Sequence, residues 1–574
     1  MDVPRVAPER PTSLGRYLPI LEWLPKYDRS WLASDAAAAL SVWALLVPQA
    51  LAYATLAGVP VQYGLYTSFV ALIAYAIFGT SRQLVQGPSA AVCAVSAAVV
   101  GPLIGTSALG TSKAVGYTAA LALAAGALYV VLGLLKMGWV SNFLSKAVMA
   151  GFVLGFSLGI VIDQAYKLLG VPQSEGSYMQ KLWGTLTELG KTSGTTLAVG
   201  AASLALLLLM RYRFSKLPRA LIVMALAILA ARAFDLSTHG VSVVGHVPTG
   251  LPSVDLPGVG WSQVNALVVG ALSVVFVGFS ESLASGRTMA LKHGYEIDTN
   301  QELVASGMAC GAAGFVGGFA TDGSLSKTSV ADAAGQRTQL ASLVNAGLML
   351  LTLVLLAGLF KNLPNATLGA VVIDAMLGLI TFLDLKRYYR VNRADWIFFM
   401  GAMLGILFLG IIQGIAIGVT LSLLLLIARA SQTSVRRLGL EPSSGVYLDL
   451  ASHQGLQTTP GVLVVRIDGP LFFADANRFR ESLRKLVSEA AMPVTSVVVD
   501  AESVQMTDTD GADILIQVGE ELKADGARLV FARVHPPIFE LWRRAGLPEA
   551  QDGTRVFKTV RDAVAAESHW QWQR

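Results

Sequence analysis

The chain alternates long apolar runs with short polar breaks from residue 34 to residue 430. A helix needs roughly 20 apolar residues to cross a bilayer, and the spacing of the runs predicts fourteen spans with short loops. Two runs are too short for a regular crossing: one ends near residue 100 at Gly101-Pro102, and the other ends by Asp332. The pattern therefore predicts an α-helical polytopic membrane protein. The predicted spans begin near Ala36, Gly64, Ser89, Ala114, Lys146, Thr195, Ala220, Asn265, Leu303, Ser324, Leu340, Thr367, Trp396 and Ile411.

Composition agrees with this interpretation and adds a boundary. Of 574 residues, 54% are hydrophobic and only 14% are charged, whereas soluble domains carry about a quarter of their residues as charged ones. Residues 441–574 hold 14 basic and 19 acidic residues, while residues 1–440 hold 29 and 19. We therefore predict an interfacial arm over 1–33, a membrane domain over 34–430, a linker over 431–442 and a soluble domain over 443–574.

The distribution of Lys and Arg predicts the orientation. Cytoplasmic loops are enriched in these residues, and they concentrate in one alternating set of connections, whereas residues 235–260 contain none. This predicts that both termini are cytoplasmic, in the plasma (inner) membrane. The excess of basic residues is thus explained by the cytoplasmic loops of a membrane protein, and no nucleic-acid partner is expected.

The two short spans occupy the third and tenth positions, which correspond if the chain divides seven plus seven. Paired short segments interrupted by Gly or Pro point to a transporter's binding site. Each begins after a break, Gln86-Gly87-Pro88-Ser89 or Thr321-Asp322-Gly323-Ser324. A helix start exposes unpaired N–H groups and the positive end of the helix dipole, so two facing starts predict an anion site. The alternative is a pair of ordinary kinks.

Several short motifs in the membrane domain are specific in combination. They are Val47-Pro-Gln-Ala-Leu-Ala-Tyr-Ala54, Gly58-Val-Pro60, Tyr63-Gly-Leu-Tyr66, Gly79-Thr-Ser-Arg82, Gln86-Gly-Pro-Ser89, Gly323-Ser-Leu-Ser-Lys-Thr328 and Gln336-Arg-Thr-Gln339.

With these motifs the chain resembles the sulfate permease family, and its tail resembles a STAS domain. The resemblance covers nearly the whole chain. It implies fourteen spans in a seven-plus-seven inverted repeat, divided into core and gate domains, with a cytoplasmic α/β STAS domain. It also implies a homodimer that moves an anion by an elevator-like displacement.

Carried over by motif, the resemblance places the anion between the starts of the third and tenth spans. The Ser hydroxyls and backbone N–H groups there are the donors that an oxyanion needs, and a tyrosine can add an O–H or an aromatic wall. Lys327 lowers the cost of bringing in an anion, or alternatively snorkels or pairs with an acid. The implied anion-binding residues are Gln49, Tyr53, Ser89, Ala90, Ala91, Ser324, Leu325, Ser326 and Lys327.

Glu281 stands near the end of an otherwise apolar span. A carboxylate inside a membrane is costly and is a functional candidate by default. Burial disfavours its charged form, so it can bind a proton. The resemblance links this position to protons in sulfate transporters and to sodium in bicarbonate transporters, for which Ser285 offers a further oxygen. We favour a proton because the acid is Glu rather than Asp; the alternative is a structural hydrogen bond.

Other polar and glycine positions are interpreted as structural. Asp374 is expected to form a polar contact in the gate domain, and Asp322 is expected to be the N-terminal cap of the tenth half-helix. Glycines at a four-residue spacing predict close helix packing. They are Gly151, Gly155, Gly159, Gly307 and Gly311.

The tail alternates β-branched strands, over 461–467, 496–500 and 527–532, with helical stretches over 475–489 and 511–523. This order predicts an α/β sheet. Thr509 occupies the place of a phosphorylatable Ser in related antagonists of anti-sigma factors, but Asp508 and Asp510 repel a phosphate there; the alternative is a helix N-cap. The tail is expected to dimerise, to aid folding or to meet a cytoplasmic partner.

The leading functional prediction is a secondary-active inorganic anion transporter, most specifically proton-coupled sulfate uptake. One alternative is sodium-dependent transport of bicarbonate or another anion. An alternative of another class is a non-transporting anion sensor that signals through its STAS domain. No catalytic, nucleotide-binding or metal-ligand motif is present in the sequence, so no enzyme activity, cofactor or metal is expected.

Overall fold

The computed structural model describes residues 15, 17–105, 108–143, 146–174, 176–214, 217–254, 257–260, 263–380, 382–430, 433–551, 553 and 555–571. It divides into two compact units, Met1–Ser422 and Leu423–Arg574.

Within the described residues, the first unit is helical apart from two strands of two residues each. Its last helix, α17, continues past the division between the units. The elements are α1 (Ile20–Trp23), α2 (Leu32–Leu56), α3 (Gln62–Phe78), β1 (Gln86–Gly87), α4 (Ala90–Ile104), α5 (Ser112–Leu134), α6 (Lys146–Leu169), α7 (Tyr178–Thr187), α8 (Gly194–Arg213), α9 (Arg219–Ala233), α10 (Val264–His293), α11 (Thr299–Phe315), β2 (Asp322–Gly323), α12 (Leu325–Ala333), α13 (Leu340–Leu351), α14 (Asn365–Leu377), α15 (Phe382–Val391), α16 (Arg393–Leu409) and α17 (Ile411–Ala430).

Each of the fourteen predicted spans has a helix that begins within four residues of the predicted position. Among the described residues, six helical segments are long and apolar enough to cross a membrane by length and composition. The third and tenth spans are short, as predicted, with 15 residues in α4 and nine in α12. The prediction that Gly101-Pro102 ends the third span is wrong: α4 continues to Ile104, because a proline in the last turn removes a single backbone donor.

Helix packing shows the relation between the two halves. The first span, α2, packs on the tenth and eleventh, α12 and α13, and the eighth, α10, packs on the third and fourth, α4 and α5. The second span, α3, packs on the eleventh, α13, and the ninth, α11, packs on the fourth, α5. In each comparison the two halves exchange roles by a shift of seven spans. The extra helices α7 and α15 also correspond, since one precedes the sixth span and the other the thirteenth. This is the predicted seven-plus-seven layout.

Four of the five glycines predicted to pack closely do so, whereas a Cβ atom at Gly311 would meet nothing within 4 Å. A Cβ atom at Gly151 would lie 2.1 Å from the carbonyl oxygen of Phe399, and one at Gly155 would lie 2.6 Å from that of Met403. The fifth span, α6, therefore approaches the thirteenth, α16, backbone to backbone. Such contact stabilises helix association in a membrane, where no hydrophobic effect acts between helices.

The second unit is an α/β domain around a six-stranded sheet. Strand order is β4-β3-β5-β6-β7-β8; β3 pairs antiparallel with β4 and β5, and β5 to β8 run parallel. Its elements are β3 (Ser434–Leu440), β4 (Tyr447–Asp449), β5 (Val462–Asp468), α18 (Ala476–Ser488), β6 (Ser496–Asp500), α19 (Thr509–Ala524), β7 (Arg528–Ala532), α20 (Pro536–Ala545), α21 (Pro548–Gln551), β8 (Val556–Phe557) and α22 (Val560–Gln571).

The three strands and two helices predicted in the tail correspond to β5, β6, β7, α18 and α19. Strand β3 lies in the stretch that the sequence assigned to a linker over 431–442, so the sheet begins earlier than the predicted boundary. The pattern concealed it because Arg436 and Arg437 interrupt its apolar positions. Trp542 packs against Phe531 beneath the sheet, with ring centroids 5.0 Å apart.

Candidate functional site

The breaks before the two half-helices meet in a ribbon between the halves of the membrane domain. Strand β1 pairs antiparallel with β2, with Gln86 opposite Gly323 and Gly87 opposite Asp322. Helix α4 starts just after β1 and α12 just after β2, so the two helix starts lie at one place. This is the arrangement that an anion site between the two helix starts requires.

At the third-span start, Ser89 is the N-cap of α4. Its backbone is extended, and its hydroxyl accepts a hydrogen bond from the N–H of Val92 at 3.4 Å. Ala90 and Ala91 form the first turn and are buried. Their small side chains let another group approach the backbone N–H groups of this turn.

At the tenth-span start, Ser324 is the N-cap of α12, and its hydroxyl is 2.9 Å from that of Ser326 rather than bonded to the helix backbone. Leu325, 43% exposed, and Ser326 present their side chains at the surface. The prediction that Asp322 caps this helix is wrong: Asp322 lies in β2, two residues before the cap.

The first span supplies Gln49 and Tyr53, one helical turn apart and both buried. Helix α2 packs against both α4 and α12. Tyr53 lies within electrostatic range of Glu281 and Asp322.

Glu281 of α10 is held at the same ribbon. Its carboxyl group interacts with Asp322, Ser324 and Lys327, and the next residue, Ser282, accepts a hydrogen bond from the N–H of Gly323 at 2.7 Å. Glu281 is half-buried, which places it at an accessible surface of the site.

Ser285, one helical turn after Glu281, forms its hydrogen bond with the helix backbone. Its hydroxyl donates to the main-chain carbonyl oxygen of Glu281 at 2.8 Å, within the helix, and the side chain is fully buried. The hydroxyl that the sequence proposed as an ion ligand beside Glu281 therefore bonds to the helix backbone.

Lys327 crosses from the tenth span to the third. It is 1% exposed, and its ammonium group donates to the carbonyl oxygen of Pro88 at 2.7 Å. Asp322 and Glu281 are the acids that interact with it. Lys327 therefore does not snorkel; it fixes one half-helix start to the other while facing two acids.

Sequence reasoning missed Asp322 as a member of this charged group. Both carboxylate oxygens are buried without a well-formed hydrogen bond to any described residue, although Ser89 and Glu281 interact with the side chain. The available signal was an acid at the break itself, which the sequence analysis assigned to helix capping.

The remaining candidates have other surroundings. Asp374 forms the expected gate-domain contact, with Arg219 at 2.9 Å and Arg211 at 3.7 Å. Thr509 is exposed at the first position of α19, but the cap is Asp508, which accepts from the N–H of Gly511 at 2.8 Å; the N-cap alternative for Thr509 is wrong. Among the described residues, no cluster of three or more His, Cys, Asp or Glu is arranged for a metal ion.

Fold and site together define a multi-pass membrane protein of the transporter class with a C-terminal α/β domain. The sequence profile of the sulfate permease family matches residues 32–402, and that of the STAS domain matches residues 454–563. The chain belongs to the sulfate permease family, and this assignment supports an inorganic anion as its substrate.

Relatives match over nearly the full length. A probable sulfate transporter of Mycobacterium tuberculosis (strain H37Rv) is 32% identical over 556 residues, covering 97% of this chain and 98% of the relative. High affinity sulfate transporter 2 of Stylosanthes hamata is 29% identical, covering 95% and 86%.

Solved structures share the fold. The murine solute carrier 26 family member A9 anion transporter, in the inward-facing state, has a TM-score of 0.90 and 25% identity, covering 98% of this chain and 96% of that one. The transmembrane domain of the cyanobacterial bicarbonate transporter BicA has a TM-score of 0.61 and 21% identity, covering 69% and 98%.

Proposed function

We propose that the protein is a secondary-active anion transporter that takes up sulfate together with protons. The observation that carries this proposal is the position of Glu281, a membrane carboxyl group held where two half-helices start. An anion and a proton acceptor thus share one site, which is the physical requirement for coupling their movements.

Sulfate is the substrate that the donor set and the relatives favour. The site offers the backbone N–H groups of two first turns together with the hydroxyl groups of Ser324 and Ser326. An oxyanion is stabilised by several such donors without a full positive charge. The names of the full-length relatives support sulfate among the small oxyanions.

A proton is the better-supported coupling ion. Sodium needs several oxygen ligands in one shell, yet Ser285 directs its hydroxyl to the helix backbone. A carboxyl group needs no shell to hold a proton, and Glu281 has acidic and basic neighbours that respond to its charge.

An elevator-like displacement fits the way the core spans are tied together. Glu302 of α11 is buried and accepts from the hydroxyl of Tyr75 at 2.7 Å and from the N–H of Thr80 at 2.8 Å. Asp35 of α2 accepts from the N–H groups of Arg337 and Thr338. These carboxylates join distant loops of the core, which supports its movement as one body past the gate.

The assembly belongs to the same proposal. We expect a homodimer in the plasma (inner) membrane with both termini cytoplasmic, and a STAS domain available to a cytoplasmic partner.

Uptake of radiolabelled sulfate into proteoliposomes tests the function directly. An inward proton gradient is expected to drive concentrative uptake in the wild type. Glu281→Gln removes the ionisable group while keeping its shape, so concentrative uptake is lost, whereas exchange of internal for external sulfate without a gradient persists. Glu296→Gln is the matched control, because Glu296 is an exposed acid in the loop that follows the same helix.

Each of the other possible results identifies the part of the proposal that is wrong. Uptake driven by a sodium gradient instead contradicts the proton. Bicarbonate flux without sulfate flux contradicts the substrate. The absence of any anion flux in protein that still melts cooperatively contradicts transport and favours the sensor alternative.

A further inference from the structure

Three charged side chains lie together at the ribbon between the two half-helix starts: Glu281, Asp322 and Lys327. Asp322 is completely buried and Lys327 is almost completely so. Each interacts electrostatically with the other two. Two acids therefore share a single base in the middle of the membrane domain.

The lysine cannot rearrange freely to neutralise either acid. Its ammonium group is buried and donates to the Pro88 carbonyl at 2.7 Å. Asp322 is equally fixed, because β2 pairs with β1 and the Gly323 N–H is bonded to Ser282. The position of all three charges is thus set by the ribbon.

No further charge balances this group among the described residues that interact with Asp322. Those neighbours are Tyr53 on α2, Ser89 and Cys93 on α4, Tyr129 on α5 and Cys310 on α11. They carry hydroxyl or thiol groups that are neutral at physiological pH. With both acids ionised, the side chains of the site therefore sum to one negative charge.

We propose that Asp322 is the second half of the coupling site, and that one proton held between Glu281 and Asp322 is what admits the anion. This inference rests on the proposed function. The proton enters from water onto a carboxylate oxygen and leaves the same way. With it, the side-chain charges sum to zero, because Lys327 then offsets the one remaining carboxylate.

The helix dipoles do not alter this difference. They contribute fixed partial charges to the site, which act whether or not the proton is present. A single unit charge a few ångströms from the anion, at the effective dielectric of a protein interior, changes affinity by about tenfold or more. By linkage, the anion promotes proton uptake as strongly as the proton promotes anion binding.

Calorimetric titration of the purified full-length protein with sulfate, in two buffers of different ionisation enthalpy, measures the protons taken up per anion bound. We expect about one proton in the wild type at neutral pH, and a sulfate Kd that rises about tenfold per pH unit once both acids ionise. Asp322→Asn is expected to take up almost none and to bind sulfate with a pH-independent Kd. Glu281→Gln is expected to behave in the same way.

Controls separate this inference from the proposed function. Glu296→Gln keeps the proton uptake of the wild type. Asp322→Thr repeats the removal of charge with a smaller side chain, in case the amide does not fit. Wild-type protein that binds neither sulfate nor bicarbonate contradicts the proposed function, and with it this inference.

Two outcomes contradict the inference alone. One is full proton uptake with intact sulfate binding in both Asp322 variants, which would leave Glu281 as the sole proton site. The other is lost sulfate binding in both variants although they melt cooperatively, since the charge count predicts equal or tighter binding.

Discussion

Two charged clusters in the membrane domain differ in how their charges are balanced. In the gate, Asp374 near the end of α14 faces two arginines: Arg219 binds its carboxylate at 2.9 Å, and Arg211 also donates to the main-chain oxygen of Asp374 at 3.4 Å. In the core, Glu281 and Asp322 share Lys327, whose hydrogen bond goes to a backbone carbonyl instead. One cluster has bases to spare and the other has acids to spare.

This difference in charge balance suggests a structural role for the gate cluster and a functional role for the core cluster. An acid with a surplus of bases at a helix end has its charge balanced without taking up a cation, and the arginines also neutralise the negative end of the helix dipole. Acids that outnumber their base can reach balance only by taking up a cation. Because a buried net charge is costly, we expect such a cluster to couple the binding of one ion to that of another.

Removing the base is expected to have the largest effect. Lys327→Met leaves two acids with no counter-charge and leaves the Pro88 carbonyl without its donor. We expect proton-driven sulfate uptake in proteoliposomes to fall by about 100-fold, as one unit charge nearby implies. Lys327→Arg keeps the charge and should retain part of the activity.

Lys113→Met is the matched control, because Lys113 is exposed at the start of α5. Uptake by Lys327→Met at more than half the wild-type rate, with normal amounts of folded protein, would show that the core cluster does not need its base.

Much of this architecture could be predicted from the sequence, because spans follow from local runs of apolar residues. Breaks such as Gln86-Gly87-Pro88 can also be recognised from the local sequence. The partner of Lys327 could not be predicted, since Pro88 is 239 residues away and is brought near only by the ribbon. For the same reason Asp322 was assigned to capping: an N-cap is judged from neighbours in the chain, whereas the neighbours of Asp322 come from five other helices.

Removing the acid of the gate cluster is expected to reduce stability without changing coupling. Asp374→Asn leaves Arg211 and Arg219 without their carboxylate, and a hydrogen bond to a charged group contributes about 1.5–3 kcal/mol. We expect the melting temperature to fall by several degrees while the protein that remains folded keeps its proton-driven uptake. Thermal unfolding in detergent and uptake at equal amounts of folded protein measure the two effects.

Asp235→Asn is a suitable control for that variant. Asp235 is exposed, and its left-handed backbone, with φ of 43°, also suits asparagine. If Asp374→Asn abolished proton dependence at unchanged stability, the gate cluster would take part in coupling and the comparison would fail.

The smallest effect is expected at Ser285, which lies on the same helix as Glu281 of the core cluster but bonds to the helix backbone. Ser285→Ala removes only a hydrogen bond to a carbonyl oxygen that the helix already satisfies. Proton-driven uptake should therefore change by less than twofold, and the free energy of unfolding by about 0.5 kcal/mol. Ser282→Ala, one turn earlier, strands the buried N–H of Gly323 and should cost about 1–3 kcal/mol. If Ser285→Ala instead weakened a sodium-dependent flux, its hydroxyl would be serving an ion rather than the helix. The acids of the core would then be balanced by sodium, and the surplus of negative charge would still be the reason that a cation must accompany the anion.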